Sequence, residues 1–338
     1  MYLSDPMDDM ISPLRVFDAL TGYQRTAALK AAVDIGLFTA IGAGATTLPE
    51  LAARCGAAER GVRALANRLV VDGFLTKDGE RYGLSQDAAM FLDGSSPACI
   101  ASAVHFFSEP TIRGAFDTLT DAVRRGGTAL EHDGSIAPEH PLWVEFARNM
   151  APLARLVAQM LAAQLGPVHG SVLDVAAGHG LYGITLAQHN PDVRLTALDW
   201  PAVLEVAAEN ARKAGVADRF TTLPGSAFDV DLGKGHQVVL LTNFLHHFDP
   251  PTCEALLRRV RAALTPGGRA VTVEFVPDES RVSPPEAAVF SLTMLASTPS
   301  GDAYTLAEYR KMFTAAGFAE VTLHALHPAP QQALVAVA

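Results

Sequence analysis

The chain has 338 residues, of which 49% are hydrophobic and 18% charged, and its formal net charge is −10. This composition indicates a folded protein of two domains or one large one and excludes a disordered chain. The negative charge argues against nucleic-acid or anionic-membrane partners, and no apolar run reaches the roughly 18–20 residues that span a bilayer.

The chain start and the cysteines predict a cytoplasmic protein. The first ten residues, MYLSDPMDDM, are acidic and lack the basic and then apolar pattern of a signal peptide. Cys55, Cys99 and Cys253 lie far apart and show no metal-ligand spacing. None of the 11 histidines belongs to an HExxH motif or a Cys/His cluster, so we predict no metal site.

Residues 1–95 are typical of a winged-helix domain. Apolar positions recur at helical spacing, and Thr47 with Glu50 forms a capping box at the start of a helix. A third amphipathic helix follows. Two short strands are then joined at Asp78-Gly79, a dipeptide that favours a hairpin turn.

The third helix of this domain leaves two interpretations open. Arg60, Arg63 and Arg68 could contact DNA, as in many winged-helix proteins. However, Glu59 and Asp72 lie nearby, and the whole chain is acidic. The arginines are therefore better interpreted as a solvated helix face.

Residues 96–166 are predicted to be a helical connector that contributes to a substrate pocket, with a Gly- and Pro-rich break over 124–141.

From 167 to 338, strands and helices alternate. The near-continuous apolar strands favour a parallel sheet with helices on both faces. The seven strand candidates are SVLDVA, VRLTALD, RFTTLP, QVVLLTN, RAVTVEF, VTLHAL and ALVAVA.

The first strand of this sheet ends in an acid and runs into a loop that has almost no side chains. Asp174 precedes AAGHG (176–180), and Asp199 closes the next strand, 25 positions later. A glycine loop and an acid at the carboxyl ends of neighbouring strands are typical of a nucleoside site. The loop lacks the GxGxxG pattern of dinucleotide sites. A carboxylate before it suits a cationic amino-acid tail better than a pyrophosphate, which favours S-adenosylmethionine (SAM).

LDVAAGHG, ALDWP, LTNFLHHFD, LTPGGRAVTVEF and GDAYTLAEYRKMFTAAGF occur in this order along the chain. In order and spacing they resemble class I SAM-dependent O-methyltransferases of the branch that includes caffeic acid and hydroxyindole O-methyltransferases. The resemblance implies an α/β fold in which a Rossmann-like seven-stranded sheet, with its last strand antiparallel, follows a mainly helical winged-helix dimerisation domain. It also implies a homodimer that binds no nucleic acid.

The resemblance places SAM, and its product S-adenosylhomocysteine, against the carboxyl ends of the first four strands. Asp174 and the glycines would hold the methionine part, and Asp199 the ribose. The family usually has Gly-Asp at the end of the third strand, where this chain has Gly225-Ser226. The implied cofactor-binding residues are Asp174, Ala176, Gly178, Gly180, Asp199, Trp200, Ser226, Ala227, Phe228 and Asn243.

The family motif that usually ends His-Asp-Trp is His246-His247-Phe248 here. His246 falls on the family's general base and Glu274 on the first of two acids that frame it. The second acid is missing, because Ala303 occupies its position and the adjacent Asp302 would point elsewhere in an extended segment. The implied mechanism is deprotonation of an acceptor hydroxyl by His246, with Glu274 holding the imidazole.

The acceptor pocket is less well defined by the sequence. We predict that His179 is a solvent-side residue of the glycine loop and that His247 is structural or lines the pocket. The predicted substrate-binding residues are Phe107, Trp143, Asn149, Met150, His247, Phe290 and Met294.

The resulting hypothesis is a SAM-dependent O-methyltransferase that acts on a hydroxyl of a small aromatic metabolite. The altered base motif leaves methylation of a carboxylate, nitrogen or carbon open. A second hypothesis is an enzyme of this fold that binds SAM but performs hydroxylation, decarboxylation or pericyclic chemistry. A third, non-enzymatic hypothesis is a winged-helix regulator that senses SAM.

Overall fold

A computed structural model describes residues 12–338, so the predicted absence of a signal peptide falls outside the described residues. The chain divides into two compact units, which meet in sequence between Ser108 and Glu109. This division differs from the predicted boundaries at 95 and 166 and does not separate the helical connector. The three-part division therefore stays a prediction.

The N-terminal unit consists of helices and a small two-stranded wing. Its elements are α1 (Leu14–Asp34), α2 (Leu37–Gly42), α3 (Leu48–Cys55), α4 (Glu59–Val71), β1 (Leu75–Asp78), β2 (Arg81–Leu84), α5 (Gln86–Phe91) and α6 (Ala103–Phe107). The capping box at α3 is confirmed, since the Thr47 N–H donates to Glu50 at 3.0 Å. The antiparallel β1–β2 pair is the predicted wing.

Helix α1 leaves an apolar surface uncovered within this unit. Leu14, Phe17 and Leu20 are 72%, 59% and 65% exposed. The core of the unit is formed instead by the other helices and the wing, through Leu37, Phe38, Leu51, Val62, Leu69, Leu75 and Tyr82. On α4, Arg68 is bound to Asp72 at 2.8 Å, so it is not a free cation.

The C-terminal unit opens with four helices. They are α7 (Pro110–Asp117), α8 (Leu119–Arg125), α9 (Leu142–Asn149) and α10 (Ala151–Leu165). The predicted break between α8 and α9 is present and contains one 3₁₀ turn at Gly134–Ile136.

All seven predicted strands form one sheet. They are β3 (Ser171–Val175), β4 (Arg194–Asp199), β5 (Phe220–Pro224), β6 (His236–Leu240), β7 (Leu264–Glu274), β8 (Val321–Ala325) and β9 (Gln332–Val337). The order is β5-β4-β3-β6-β7-β9-β8. Only β9 is antiparallel to its neighbours, as the family resemblance implied.

Helices cover both faces of this sheet. The remaining helices are α11 (Leu181–His189), α12 (Pro201–Lys213), α13 (Pro250–Ala263), α14 (Pro285–Ser297) and α15 (Leu306–Ala315). Val172 faces the cluster formed with α10 and α11, whereas Leu173 faces the cluster formed with α13 and α15. The strand order reverses between β3 and β6, so the loops after β3, β4 and β6 meet at one edge, where ligands bind in such sheets.

Candidate active site

Two glycines of the loop after β3 have different surroundings: Gly180 is packed against neighbouring helices, and Gly178 has free space beside it. A Cβ on Gly180 would lie 3.1 Å from both Ala207 and Ile184, so close contact between α11 and α12 requires glycine there. A Cβ on Gly178 would meet only the Phe146 ring, at 3.6 Å. Gly178 has φ +57°, which favours glycine, and its backbone stays open to a ligand.

Asp174 is fully buried behind this loop. Its Oδ2 accepts a hydrogen bond from the Gly183 N–H at 3.2 Å, but its Oδ1 is enclosed and has no partner in the described residues. Burial, with a smaller contribution from the nearby Asp199, raises the pKa of this carboxyl to about 8. An unpaired buried carboxyl oxygen is costly, so this site fits a cationic group such as the ammonium of SAM.

Asp199 joins the loops that follow β3 and β4. Its Oδ2 accepts from the Gly178 N–H at 2.8 Å, and its Oδ1 accepts from the Trp200 N–H at 2.7 Å. Burial raises the pKa of Asp199 to about 6, although these two hydrogen bonds oppose the shift. Each carboxylate oxygen keeps acceptor capacity for a ribose hydroxyl. Asp174 and Asp199 therefore both fit parts of SAM.

The turn after β5 is fixed by its own hydrogen bonds. The Phe228 N–H donates to Ser226 Oγ at 3.1 Å, and Arg259 of α13 donates to the carbonyls of Ala227 and Val230. The Phe228 ring packs edge-on against Phe248 at 4.9 Å. Arg259 was not identified from the sequence, because its role depends on tertiary packing across 32 residues.

Asn243, after β6, contacts a residue that the sequence analysis did not single out. Its Nδ2 donates to the Tyr182 hydroxyl at 3.3 Å, and its N–H donates to the Val273 carbonyl at 2.9 Å. Asn243 has φ +52°, a left-handed conformation that asparagine tolerates. Tyr182 is buried on α11, so this pair connects the loop after β6 to the glycine loop.

His246 and Glu274 form a buried pair. His246 Nδ1 is hydrogen-bonded to Glu274 Oε2, and both side chains are enclosed. Glu274 Oε1 accepts from the Leu245 N–H at 3.1 Å and lies 3.0 Å from the Thr272 hydroxyl. Because the carboxylate accepts, Nδ1 carries the proton and Nε2 is left as the basic nitrogen.

No acid of the neighbouring 301–303 segment faces this imidazole. The Asp302 N–H donates to the His246 carbonyl at 2.9 Å, but the Asp302 carboxylate binds Arg281 at 3.0 Å and the Ser291 hydroxyl. Ala303 is completely buried beside it. Among residues 12–338, His246 therefore has one carboxylate partner, Glu274.

Aromatic rings surround the two histidines. The His247 ring lies 4.3 Å from the His246 ring and 5.2 Å from Trp143, measured between centroids. Phe290 presents its edge to His246 at 4.7 Å and stacks on Phe275 at 4.3 Å. The structure thus brings Trp143, His247 and Phe290 together around His246.

The other four predicted pocket residues are not among the rings that pack around His246. Asn149 donates to Glu145 at 3.1 Å, and Met150 ends α9. Met294 is buried on α14, one helical turn after Phe290. Phe107 belongs to the N-terminal unit, where it is 54% exposed. The pocket roles of these four residues remain predictions.

The prediction that His179 faces solvent is wrong. Its side chain is buried, with 3% of the residue exposed, and its ring stacks near Phe146 at 6.1 Å. The Leu181 N–H donates to His179 Nδ1 at 3.1 Å, and burial lowers the pKa of His179 to about 4. This burial could not be predicted from the local sequence, because Phe146 comes from a helix 33 positions earlier.

Two family models match the chain. The O-methyltransferase domain matches residues 116–319, and the O-methyltransferase dimerisation domain matches residues 14–94. The chain belongs to the O-methyltransferase family. Like other members, it is a SAM-dependent O-methyltransferase.

Individual relatives agree with this assignment. A 3-hydroxy-5-methyl-1-naphthoate 3-O-methyltransferase of Streptomyces sahachiroi is 31% identical, with 91% of this chain and 90% of that protein covered. The crystal structure of an O-methyltransferase candidate from Nostoc punctiforme is 48% identical and has a TM-score of 0.93, covering 97% and 100% of the two chains. Human N-acetylserotonin methyltransferase with SAM shares the fold, at 23% identity and TM-score 0.83, covering 97% and 98%.

Two features are absent from residues 12–338. No helix is long and apolar enough to cross a bilayer. No group of three or more His, Cys, Asp or Glu side chains is arranged to hold a metal ion.

Proposed function

We propose that this methyltransferase deprotonates a hydroxyl of a small aromatic acceptor with His246, and that Glu274 positions the imidazole. The enclosed His246–Glu274 pair is the observation that supports this most strongly. A phenol has a pKa of about 10 and an imidazole one of about 6.5. His246 Nε2 therefore takes the proton as the acceptor oxygen forms its bond to carbon, and Glu274 stabilises the resulting imidazolium.

The residues at the strand ends would hold SAM, whose sulfonium supplies an already activated methyl group. Asp174 pairs with the ammonium, Asp199 binds the ribose hydroxyls, and Gly178 offers an open backbone. The turn at Ser226–Phe228 and the side chain of Asn243 complete the adenosine site. Since the electrophile needs no activation, the protein contributes alignment and proton removal.

His246, rather than its neighbour, fits the role of the base. His247 has no carboxylate partner among the described residues, and its Nδ1 donates to the Phe244 carbonyl at 3.2 Å. Burial lowers the pKa of His247 well below its usual value, and the nearby His246 lowers it further. A proton on His246 is stabilised by Glu274, whereas a proton on His247 is not.

The proposal includes a homodimer in the cytoplasm. The exposed apolar side of α1 and the matched dimerisation domain support pairing of two chains. The three free thiols support a reducing compartment. Light scattering should give twice the chain mass, and Leu20→Asp should lower it by charging that helix face. A monomeric wild type would contradict this part.

The activity is tested with a mass-spectrometric screen. The protein and SAM are incubated with phenols, catechols and hydroquinones, and both S-adenosylhomocysteine and products gaining one methyl are measured. Product methylated on oxygen supports the proposal. Acceptor conversion without S-adenosylhomocysteine would instead favour the non-methylating alternative, which the absent second acid at Ala303 keeps open.

SAM affinity should rise with pH because of Asp174. In the free protein its pKa is about 8, so the carboxyl is protonated at neutral pH and must lose that proton to pair with an ammonium. We expect the SAM Kd to fall roughly tenfold between pH 6.5 and pH 8, with proton release on binding. Calorimetry in two buffers measures both; Asp174→Asn should bind weakly and without this slope. A flat wild-type profile would argue against the ammonium contact.

Gly301 should be essential for the position of the base. A Cβ there would lie 2.2 Å from the His246 carbonyl and 2.9 Å from the His247 carbonyl carbon. We expect Gly301→Ala to lower kcat at least tenfold, since misplacement by about 1 Å can cost 10²-fold, and to leave SAM affinity nearly unchanged. Gly61→Ala is the control, because a Cβ at Gly61 meets nothing within 4 Å. Normal turnover by Gly301→Ala would show that this backbone moves freely.

A further inference from the structure

His247 stands where the family usually has an acid, and its protonation pattern is fixed by its surroundings. The Phe244 carbonyl can only accept, so His247 Nδ1 must carry a proton. Burial keeps the ring neutral. The remaining nitrogen, Nε2, is therefore a hydrogen-bond acceptor with no proton to donate.

No described residue donates a hydrogen bond to Nε2 of His247. This nitrogen is also not fully enclosed. The fully enclosed side-chain nitrogens and oxygens that lack a partner in residues 12–338 are Thr46 Oγ1, Asp174 Oδ1, Tyr309 Oη and Gln331 Oε1, and Nε2 of His247 is not among them. Nε2 of His247 therefore keeps some accessible surface, although the residue as a whole is buried. A buried ring whose acceptor lacks a protein donor is suited to a donor from a ligand.

The two imidazoles are arranged as a pair of acceptors. His246 Nδ1 bonds to Glu274 and His247 Nδ1 to Phe244, so both rings direct their protons into the protein and leave Nε2 unpaired. Their centroids are 4.3 Å apart, and the rings are tilted by 35°. Trp143 packs edge-on against His247, and its own N–H is bound to the Ser135 carbonyl at 2.9 Å, so it offers Nε2 no donor.

We propose that His247 determines acceptor specificity: its Nε2 accepts a hydrogen bond from a second donor group on the acceptor, next to the hydroxyl that His246 deprotonates. The acceptor class is then a phenol with an ortho hydroxyl or amino group. This inference rests on the proposed function, since it assumes His246 as the base. A group without a donor in that position would leave Nε2 of His247 without a hydrogen bond wherever the bound acceptor displaces water from it.

The proposal is tested with two matched acceptors. 2,3-Dihydroxynaphthalene carries the second donor, and 3-methoxy-2-naphthol has a group of similar position that cannot donate. We expect the wild type to favour the diol in kcat/KM by about tenfold or more, on the scale of one neutral hydrogen bond in a dry pocket. In His247→Phe this ratio should fall to near the statistical factor of two.

A conservative variant separates hydrogen bonding from packing. In His247→Gln the amide oxygen lies near the position of Nε2 and can accept, so the preference for the diol should persist. If His247→Phe retains the full preference, or if the wild type methylates both naphthols equally, the specificity role is wrong while the proposed methyltransferase activity stands.

Binding provides the second readout. Calorimetric Kd values of the two naphthols are measured on each variant loaded with S-adenosylhomocysteine, where no transfer can occur. A preference for the diol that His247→Phe abolishes supports the proposal even if neither naphthol is methylated. Equal affinities, or no binding of the diol to the wild type, would overturn it. Absence of transfer alone would count against the proposed function, not against this inference.

Discussion

The His246→Ala variant should lose turnover by about 10²–10⁴-fold, the usual contribution of a general base. SAM affinity should stay within about twofold of wild type, because His246 contacts Glu274 and aromatic rings rather than the loops after β3 and β4. Initial rates of S-adenosylhomocysteine release and calorimetry with SAM measure the two quantities separately.

The surface histidine His169 provides a matched control. It is exposed, lies 3.5 Å from Asp192, and precedes the amino end of β3, whereas the strand-end loops follow the carboxyl ends. His169→Ala should retain both turnover and SAM binding. A large loss of turnover in His247→Ala but not in His246→Ala would mean that the base assignment is displaced by one residue.

The Asp199→Ala variant should weaken SAM binding by well over tenfold. The variant would lose the hydrogen bonds between the Asp199 carboxylate and the ligand. The N–H groups of Gly178 and Trp200 would also lose the carboxylate oxygens that lie 2.8 and 2.7 Å from them. Loss of charge-assisted hydrogen bonds of this kind costs about 1.5–3 kcal/mol each. Equilibrium dialysis with labelled SAM measures the change.

Two comparisons make the Asp199 result interpretable. Glu205→Ala removes an exposed acid from the adjacent helix α12 and should bind SAM as the wild type does. Circular dichroism of Asp199→Ala should show a retained fold, because the backbone pairing of strand β4 with β3 and β5 does not depend on this side chain. Unchanged SAM affinity in Asp199→Ala would show that the ribose is bound elsewhere.

Much of the fold was predictable because its signals are local. Seven apolar strand segments and the capping box at Thr47 depend on residues only a few positions apart. The antiparallel last strand followed from the family resemblance. The boundary between the units at Ser108 was not predicted, since it depends on which helices pack together in space.

The site was predictable only where function fixes a residue at the end of a strand. Asp174, Asp199 and Glu274 could be identified in this way. Contacts between distant segments could not be identified. Tyr182 and Asn243 are 61 positions apart, and the burial of His179 depends on Phe146 from α9. The sequence also did not show that Gly180 serves helix packing while Gly178 stays open.

The most direct test of the central claim is the dependence of the His246→Ala defect on acceptor acidity. Phenols of one shape but decreasing pKa, ending with a nitrophenol already ionised at the assay pH, are compared on wild type and variant. If His246 removes the proton, the loss of about 10²–10⁴ in kcat/KM should shrink to less than about tenfold for the ionised acceptor, which needs no base. An equal loss for every acceptor would contradict general-base catalysis by His246.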